Sequence, residues 1–352
     1  MSKLRFIIIS LSTVLLLAKC TSPPVTDQYK LAEIFADYVG NDVPGAAVLV
    51  IQDGQKELKG TFGMANLDAR EPVGSNTNFR LASVTKQFTA MSVLMLVDRE
   101  MLRLDDTLGG IFPDFPPFAD RITIMHLLQH TSGLLDYEDF VPSDSLEQVS
   151  DSDALDILIA TDSTYFEPGA AFRYSNSGYA VLAMIVEKYS GRTFAEFLKE
   201  NIFDPLGMDG TVAYQKGISE VSNRAYGYTV TESGIENTDQ SPWSAVLGDG
   251  GIYSSLDDLY KWDQALYTDT LISADLFTQA LTPNLDDYGF GWRIDTYNGL
   301  KRYHHSGSTS GFRNFLMRFP DERLTVIVLT NRAEPDVQPL AERVFDLVIT
   351  QR

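Results

Sequence analysis

The sequence predicts an α+β fold, in which one antiparallel sheet is formed from both chain ends, flanked by helices and interrupted by a mostly helical lobe. Alternating strand-like runs occur near the start of the chain and return after Gly250-Gly251. Between them, helical segments are separated by proline-rich turns such as IFPDFPPF. Strands at both ends with helices between them favour a single sheet assembled from the two ends.

On this prediction, a sheet domain consists of residues 27–104 and 246–352, and residues 105–245 form the inserted helical lobe. The chain of 352 residues is long enough for two lobes, because single hydrophobic cores stop growing at about 250 to 300 residues. The composition is that of an ordinary globular protein, with 44% hydrophobic and 22% charged residues.

Local patterns assign the individual elements. The Asp53-Gly54 pair lies between two alternating runs and is a strong hairpin signal. A first helix is expected over about Asp27 to Val39 and a closing helix over about Val337 to Ile349. The helical segments of the lobe are ITIMHLLQH, DALDILIAT, YAVLAMIVEKYS and FAEFLKENIF, and the later strand-like segments are YGFGWRID, LKRYHHS, FRNFLMRFP and LTVIVLTN.

The first 20 residues have the pattern of an export signal, with a basic start, an apolar run from Phe6 to Ala18 and then Cys20. The run is too short to span a bilayer comfortably, which favours a cleaved signal over a retained anchor. The end of the run resembles the bacterial lipoprotein cleavage box, so Cys20 would be lipidated and the protein anchored in the periplasm or cell envelope. Lys19 departs from that pattern, in which a small residue precedes the cysteine.

Charge and cysteine content narrow the possible partners. Cys20 is the only cysteine, so the mature chain has no internal disulfide and no thiolate metal site. The net charge is −20, and residues 1–19 carry three basic side chains and no acid, so the remainder would carry −23. A mature chain this acidic is expected to bind no nucleic acid, and to associate with a membrane through a lipid rather than through a basic patch.

The segment from Asn78 to Val97 contains the only S-x-x-K of the chain, Ser83 and Lys86. It reads as a helix that is buried nearly all round. Residues three apart share a helix face, so the Lys86 amine can lie beside the Ser83 hydroxyl. A neighbouring lysine is one known way of activating a serine nucleophile. The alternative is a capping serine and a lysine that extends to solvent.

The only Y-x-N of the chain is Tyr174-Ser175-Asn176, in a loop before the next helical segment. A tyrosine near a lysine can carry a proton, and an asparagine amide can hold a substrate carbonyl. The alternative is turn chemistry, in which Ser175 and Asn176 cap a helix that begins near Gly178 while Tyr174 packs.

The third candidate is the segment His304-His305-Ser306-Gly307-Ser308, at the end of a predicted strand. One histidine would lie beside the nucleophile, and the glycine would let the backbone approach a ligand closely. The alternative is a solvent-exposed histidine pair on an edge strand.

Two other kinds of site are disfavoured. The chain has no G-x-S-x-G and no H-E-x-x-H motif. His126 and His130 are four residues apart, as two ligands on one helix face would be, but no third ligand can be named. We therefore expect no metal and no cofactor.

Together the three motifs resemble the penicillin-recognising serine hydrolases. The most similar branch is the group of class C β-lactamases and D-alanyl-D-alanine carboxypeptidases, with its esterases and D-aminopeptidases. The segments FRLASVTKQFTA, LLQHTSGL, EPGAAFRYSNSGYAVLAMIVE, GDGGIYSSLDDLYKW and HHSGSTSGF are similar to family segments, in family order. The resemblance implies a β-lactamase/transpeptidase-like fold with the active site between the two lobes.

The resemblance also implies roles for single residues. Ser83 would attack an amide or ester carbonyl and form an acyl-enzyme, while Lys86 and Tyr174 share the proton transfers; which of the two is the base stays open. Asn176 would orient the substrate amide. The backbone N–H groups of Ser83 and Ser308 would form the oxyanion hole, worth about 3 to 4 kcal/mol per donor. His305 and Gly307 would line the cleft.

One difference from the class C β-lactamases bears on the expected substrate. Class C β-lactamases carry K-T-G where this chain has His305-Ser306-Gly307, and H-x-G is the form of peptidase and esterase members. Arg313 is a candidate for the missing positive charge. The expected activity is hydrolysis of a small amide or ester, in first place a D-amino-acid peptide, with small molecules or peptides as substrates. The alternatives are a carboxylesterase on short acyl esters and a class C-like β-lactamase or non-turnover penicillin-binding sensor lipoprotein.

Overall fold

The computed structural model describes residues 27–349, so the signal and lipidation predictions at residues 1–20 lie outside the described residues. The strands are β1 (Ala46–Gln52), β2 (Gln55–Phe62), β3 (Met64–Asn66), β4 (Glu71–Pro72), β5 (Phe79–Arg80), β6 (Val212–Ala213), β7 (Tyr228–Thr231), β8 (Gly234–Asn237), β9 (Ile252–Ser254), β10 (Arg293–Tyr297), β11 (Leu300–Thr309), β12 (Phe312–Phe319) and β13 (Leu324–Thr330).

The helices follow the same order along the chain. They are α1 (Asp27–Ile34), α2 (Lys86–Asp98), α3 (Leu108–Ile111), α4 (Ile124–Leu128), α5 (Asp151–Ile159), α6 (Asn176–Ser190), α7 (Phe194–Leu198), α8 (Asp204–Leu206), α9 (Leu247–Gly250), α10 (Leu256–Ala265), α11 (Ala274–Ala280) and α12 (Gln338–Ile349). Short 3-10 turns span Ala36–Tyr38, Ala82–Thr85, Pro117–Arg121, Tyr137–Phe140, Leu285–Asp287 and Pro320–Glu322, and Lys199–Phe203 is a π-helix. Within residues 27–349, every helix is too short or too polar to span a bilayer.

The main sheet has six antiparallel strands in the order β10-β11-β12-β13-β1-β2. Its centre joins the two ends of the described chain, because Ala46 of β1 lies opposite Thr330 of β13 and Gln52 lies opposite Leu324. The expected antiparallel sheet built from both ends is therefore confirmed.

Strand β1 is buried on both faces of the sheet. Val48 and Val50 pack into the hydrophobic cluster that α1 and α12 cover, whereas Leu49 and Ile51 pack into the larger cluster on the opposite face. Successive side chains of a strand point to opposite faces. A strand covered on both sides therefore reads as a continuous apolar run, as AAVLVIQ does.

Helix α2 is buried from Lys86 to Leu96, which agrees with the predicted all-round burial. The prediction that Ser83 and Lys86 share one α-helix differs from the structure, because Ala82–Thr85 forms a 3-10 turn and the α-helix begins at Lys86. Ser83 thus lies in the turn and Lys86 in the first turn of the helix.

The segment between residues 105 and 245 contains helices α3 to α8, but it also contains β6 and the β7–β8 hairpin. These strands are two to four residues long, too short to show a clear alternating pattern. Strand β6 pairs with β9 in a small sheet that β5 completes. Part of this segment is therefore attached to strands outside it.

A buried ion pair ties the sheet to α10. Arg318 on β12 donates from Nε to Asp263 Oδ1 at 2.6 Å, and both side chains are almost fully buried. We expect Arg318→Met to lower the free energy of unfolding by about 3 to 5 kcal/mol, because it leaves the Asp263 carboxylate buried without its partner. Urea denaturation followed by circular dichroism measures this loss.

The matched control is Arg323→Met, which removes an exposed ion pair to Asp53 at 3.8 Å. Exposed pairs contribute less than about 1 kcal/mol. Equal losses in the two variants would contradict the importance assigned to the buried pair.

Candidate active site

Ser83 lies in a turn with unusual backbone geometry. The preceding residue, Ala82, has φ +50°, a left-handed conformation that is uncommon for residues other than glycine. Such conformations persist where the surrounding structure holds them, often at functional sites. The turn leads directly into α2, and the Lys86 Nζ lies 3.2 Å from the Ser83 Oγ. The structure thus brings the two residues of the S-x-x-K motif together.

The Lys86 amino group is buried, and its nitrogen contacts three oxygen atoms. The side chain is 0% exposed, which excludes the alternative of a lysine extending to solvent. Besides the Ser83 hydroxyl, its Nζ contacts the Asn176 Oδ1 and the Asp249 backbone carbonyl, each at 2.8 Å. A lysine ammonium has three N–H donors. Each of the three therefore has an oxygen acceptor.

The Y-x-N segment leads into α6. Ser175 caps the helix, since its hydroxyl accepts from the Gly178 N–H at 3.1 Å, as the turn-chemistry alternative expected. Asn176, the first helical residue, instead points into the site and donates from Nδ2 to Glu138 Oε1 at 2.6 Å. Lys86 Nζ lies 4.9 Å from the centre of the Tyr174 ring. The buried Tyr174 hydroxyl has no hydrogen-bond partner among residues 27–349.

His305 lies behind the site rather than at its surface. It is 2% exposed, and β11 is an inner strand between β10 and β12, so the exposed edge-strand alternative is wrong. Its Nδ1 donates to the Ser306 carbonyl at 2.7 Å, and its Nε2 accepts from the Tyr288 hydroxyl at 2.9 Å. Burial lowers the pKa of His305 to about 3. The ring is therefore neutral at physiological pH.

Gly307 allows β11 to approach the turn that carries Ser83. A Cβ atom at this position would lie 2.1 Å from the Leu81 carbonyl oxygen, far inside van der Waals contact. The expected close approach was to a ligand, whereas the neighbour that this glycine admits is the backbone of Leu81. Ser308, one residue on, reaches the cleft.

The cleft has a volume of about 250 Å³ and contains Ser83. Its walls also include Arg80, Ala82, Tyr137, Glu138, Asn176, Ser241, Trp243, Asp249, Gly250, Ser308, Thr309 and Ser310. Of the residues predicted to contact substrate, Asn176 and Ser308 line this cleft, whereas His305 and Gly307 do not. The physical reason is that His305 is enclosed by aromatic rings and Gly307 is covered by the backbone at Leu81.

Two acidic residues of the cleft had no motif to identify them. Burial raises the pKa of Glu138 to about 7, although the hydrogen bond from Asn176 opposes this shift. Burial also raises the pKa of Asp249, whose Oδ2 accepts from the Tyr137 hydroxyl at 2.9 Å. Asp249 lies within the segment GDGGIYSSLDDLYKW, but its place beside Lys86 depends on tertiary contacts.

Arg313, the candidate for the missing positive charge, is bound to other groups, as is Arg80. Arg313 donates to the Thr309 and Phe312 carbonyls and pairs with Glu334 at 3.1 Å. Arg80, on the cleft wall, donates to the carbonyls of Gly250 and Ser244. Arg80 therefore places a guanidinium group on the cleft wall, whereas Arg313 is not part of that wall.

His126 and His130 use their Nδ1 atoms for backbone contacts. His126 Nδ1 accepts from the Thr123 N–H at 3.2 Å, and His130 Nδ1 accepts from the Ser175 N–H at 3.1 Å. In the part of the chain that the structure describes, no group of three or more His, Cys, Asp or Glu residues could hold a metal ion.

Comparison with known proteins assigns the family. The family model described as Beta-lactamase matches residues 31–349. Penicillin-binding protein 4* of Bacillus subtilis (strain 168) is 36% identical over 308 residues, covering 82% of this chain and 68% of that protein. The chain belongs to the Beta-lactamase family. The resemblance to penicillin-recognising serine hydrolases is thereby confirmed, and family membership makes serine hydrolase the class of this enzyme.

Further relatives are D-aminopeptidases. Those of Gluconobacter oxydans (strain 621H) and Brucella anthropi are each 29% identical and matched over 82% of this chain. The chain spans only 56% of the length of either.

Solved structures confirm the β-lactamase/transpeptidase-like fold. The octameric penicillin-binding protein homologue from Pyrococcus abyssi has a TM-score of 0.81 and 26% identity, over 92% of this chain and 78% of that one. The D-amino acid amidase from Ochrobactrum anthropi SV3 has a TM-score of 0.80 and 24% identity, over 92% and 98%. At that identity the second match supports the fold alone.

Proposed function

We propose that this protein hydrolyses a small amide through an acyl-enzyme on Ser83, with a D-amino-acid peptide as the substrate class. The observation that carries the proposal is the 3.2 Å contact between Ser83 Oγ and a fully buried Lys86 amine. The other two contacts of that amine, to Asn176 and Asp249, hold it in place. A base fixed beside a serine hydroxyl is the arrangement that activates it.

The same contacts suit the proton transfers. A neutral Lys86 amine would donate to Asn176 Oδ1 and the Asp249 carbonyl and accept the Ser83 hydroxyl proton with its lone pair. The unpartnered Tyr174 hydroxyl is free to carry a proton to the leaving group. Backbone N–H groups of Ser83 and Ser308 would stabilise the oxyanion, and Asn176 would orient the substrate amide.

Charge in the cleft favours one kind of amide over others. Glu138 and Asp249 place two carboxyl groups on the wall that also contains Ser83. When the Glu138 carboxyl is ionised, it attracts a substrate with a free ammonium and repels the carboxylate of a penicillin or of a peptide C-terminus. Arg80 on the same wall is already bound to the carbonyls of Gly250 and Ser244. An aminopeptidase or amidase is therefore favoured over a carboxypeptidase or β-lactamase. The similarity to D-aminopeptidases supports the same choice.

The reaction itself is tested by intact-mass spectrometry with a D-amino-acid amide, a D-alanyl-D-alanine peptide, a p-nitrophenyl ester and a penicillin. We expect a transient acyl adduct and turnover with the D-amino-acid amide, and neither with Ser83→Ala. The matched control is Ser233→Ala, since Ser233 is exposed in the turn between β7 and β8 and its loss should leave the adduct unchanged.

Other outcomes select the alternatives. Turnover of esters alone would establish a carboxylesterase and end the peptide proposal. A stable penicillin adduct without turnover would identify a penicillin-binding sensor. An adduct that persists in Ser83→Ala would move the nucleophile to another residue.

The Glu138 carboxyl predicts a pH-dependent preference. Because its pKa is about 7, it is mostly neutral at pH 5.5 and mostly charged at pH 7.5, while the substrate α-amino group, with a pKa near 8, stays largely protonated. We expect kcat/KM for a D-alanine anilide, relative to its N-acetyl derivative, to rise about fivefold over this range. Taking the ratio removes the pH dependence of the catalytic base, which both substrates share.

Glu138→Gln should make that ratio independent of pH, because the amide side chain does not ionise. The control is Glu147→Gln, an exposed residue nearby in the chain, which should keep the wild-type profile. An unchanged profile in Glu138→Gln would assign the preference to another group.

We propose further that the protein is exported and anchored by a lipid on Cys20, on the support of the N-terminal sequence. In a bacterial host, the wild-type protein should incorporate labelled palmitate and sediment with membranes, and Cys20→Ser should do neither. Equal membrane sedimentation of the variant would favour a retained apolar anchor.

A further inference from the structure

His130 holds the chain on both sides of Tyr174. Its carbonyl oxygen accepts from the Arg173 N–H at 2.9 Å, and its ring Nδ1 accepts from the Ser175 N–H at 3.1 Å. The backbone amides before and after Tyr174 are thus both bound by one residue. His130 follows α4, is 1% exposed and has φ +57°.

The His130 ring also packs on the Tyr174 ring, with ring centres 4.3 Å apart. Its other neighbours include Tyr288, at 4.5 Å between ring centres. Tyr288 in turn donates its hydroxyl proton to His305 Nε2. The His130 side chain therefore sits between the Y-x-N segment and the strand that carries His305.

Hydrogen bonding fixes the protonation of the His130 ring. Because Nδ1 accepts an N–H, it cannot carry a proton, and the neutral ring must carry its proton on Nε2. Burial lowers the pKa of His130 well below its usual value, and the nearby Lys86 acts in the same direction. Protonation of Nδ1 would place two N–H donors against each other at Ser175, which costs the contact.

We propose that His130 is a positioning residue for the acyl transfer, and this inference rests on the proposed function. As the neutral tautomer protonated at Nε2, it holds residues 173–175 so that the Tyr174 ring stays beside the Lys86 amine. It contacts neither the nucleophile nor the cleft, so it acts through Tyr174. Its effect should therefore fall on the chemical step rather than on substrate binding.

Two substitutions of similar size test the acceptor, and the stability of each variant is measured separately because leucine is less favourable than asparagine at φ +57°. His130→Asn keeps an acceptor, because its Oδ1 can take the place of Nδ1, whereas His130→Leu removes it. We expect His130→Leu to lower kcat about a hundredfold, the scale of lost acid–base catalysis, with KM within about threefold of wild type. His130→Asn should restore kcat to within about tenfold of wild type.

Rates are measured per active site, titrated by fluorophosphonate, so that a loss of folded protein does not lower them. The control is His126→Asn, four residues earlier, which should keep the wild-type kcat. Combining His130→Leu with Tyr174→Phe should give little further loss than Tyr174→Phe alone, because both changes remove the same function. Additive losses, or equal effects of Leu and Asn at position 130, would overturn the proposal.

A second measurement applies even if His130→Leu fails to fold. Nitrogen NMR of the wild-type protein with labelled histidine should show His130 protonated at Nε2 and His305 at Nδ1 from pH 5.5 to 8. A proton on Nδ1 of His130 in that range would overturn the proposal. Failure of the proposed function is distinguishable from both results, since the wild-type protein would then form no adduct at Ser83.

Discussion

The rest of the site depends on burying one ammonium group. Lys86 is fully enclosed, and a buried charge is very unfavourable unless its hydrogen bonds are made. Its three acceptors come from separate parts of the chain, the turn at Ser83, the start of α6 at Asn176 and the short helix α9 at Asp249. Because all three must converge on one nitrogen, the positions of these elements are fixed together, and with them the cleft.

The acceptors around Lys86 are uncharged, and the carboxyl groups lie one contact further out. Asn176 bridges Lys86 to Glu138, and Asp249 offers its backbone oxygen to Lys86 while its carboxyl contacts Tyr137. A carboxylate in direct contact would favour the charged amine. Neutral oxygens can hydrogen-bond both the protonated and the neutral form of the amine, which suits the proton transfers proposed for it.

Local patterns in the sequence located two pairs of residues, Ser83 with Lys86 and Tyr174 with Asn176. The members of each pair are at most three residues apart, so their spacing in the sequence alone predicts that they lie close together. Glu138 was not predicted as a site residue. It contacts Asn176, which is 38 residues away in the sequence, and no motif around Glu138 indicates that contact. His305 was predicted to line the cleft, but the rings of Tyr174 and Tyr288 enclose it, and the strand pattern does not reveal these contacts. The β7–β8 hairpin was not predicted, because strands of four residues are too short to show a clear alternation of apolar and polar residues in the sequence.

The pairing of β1 with β13 has a consequence for synthesis of the chain. Residues 46–52 leave the ribosome long before residues 324–330, their partners at the centre of the sheet. Until then β1 has no neighbour on that side, and an unpaired apolar strand is prone to aggregate. Contacts so distant in sequence also slow folding. The central sheet can therefore be completed only after translation has passed β13.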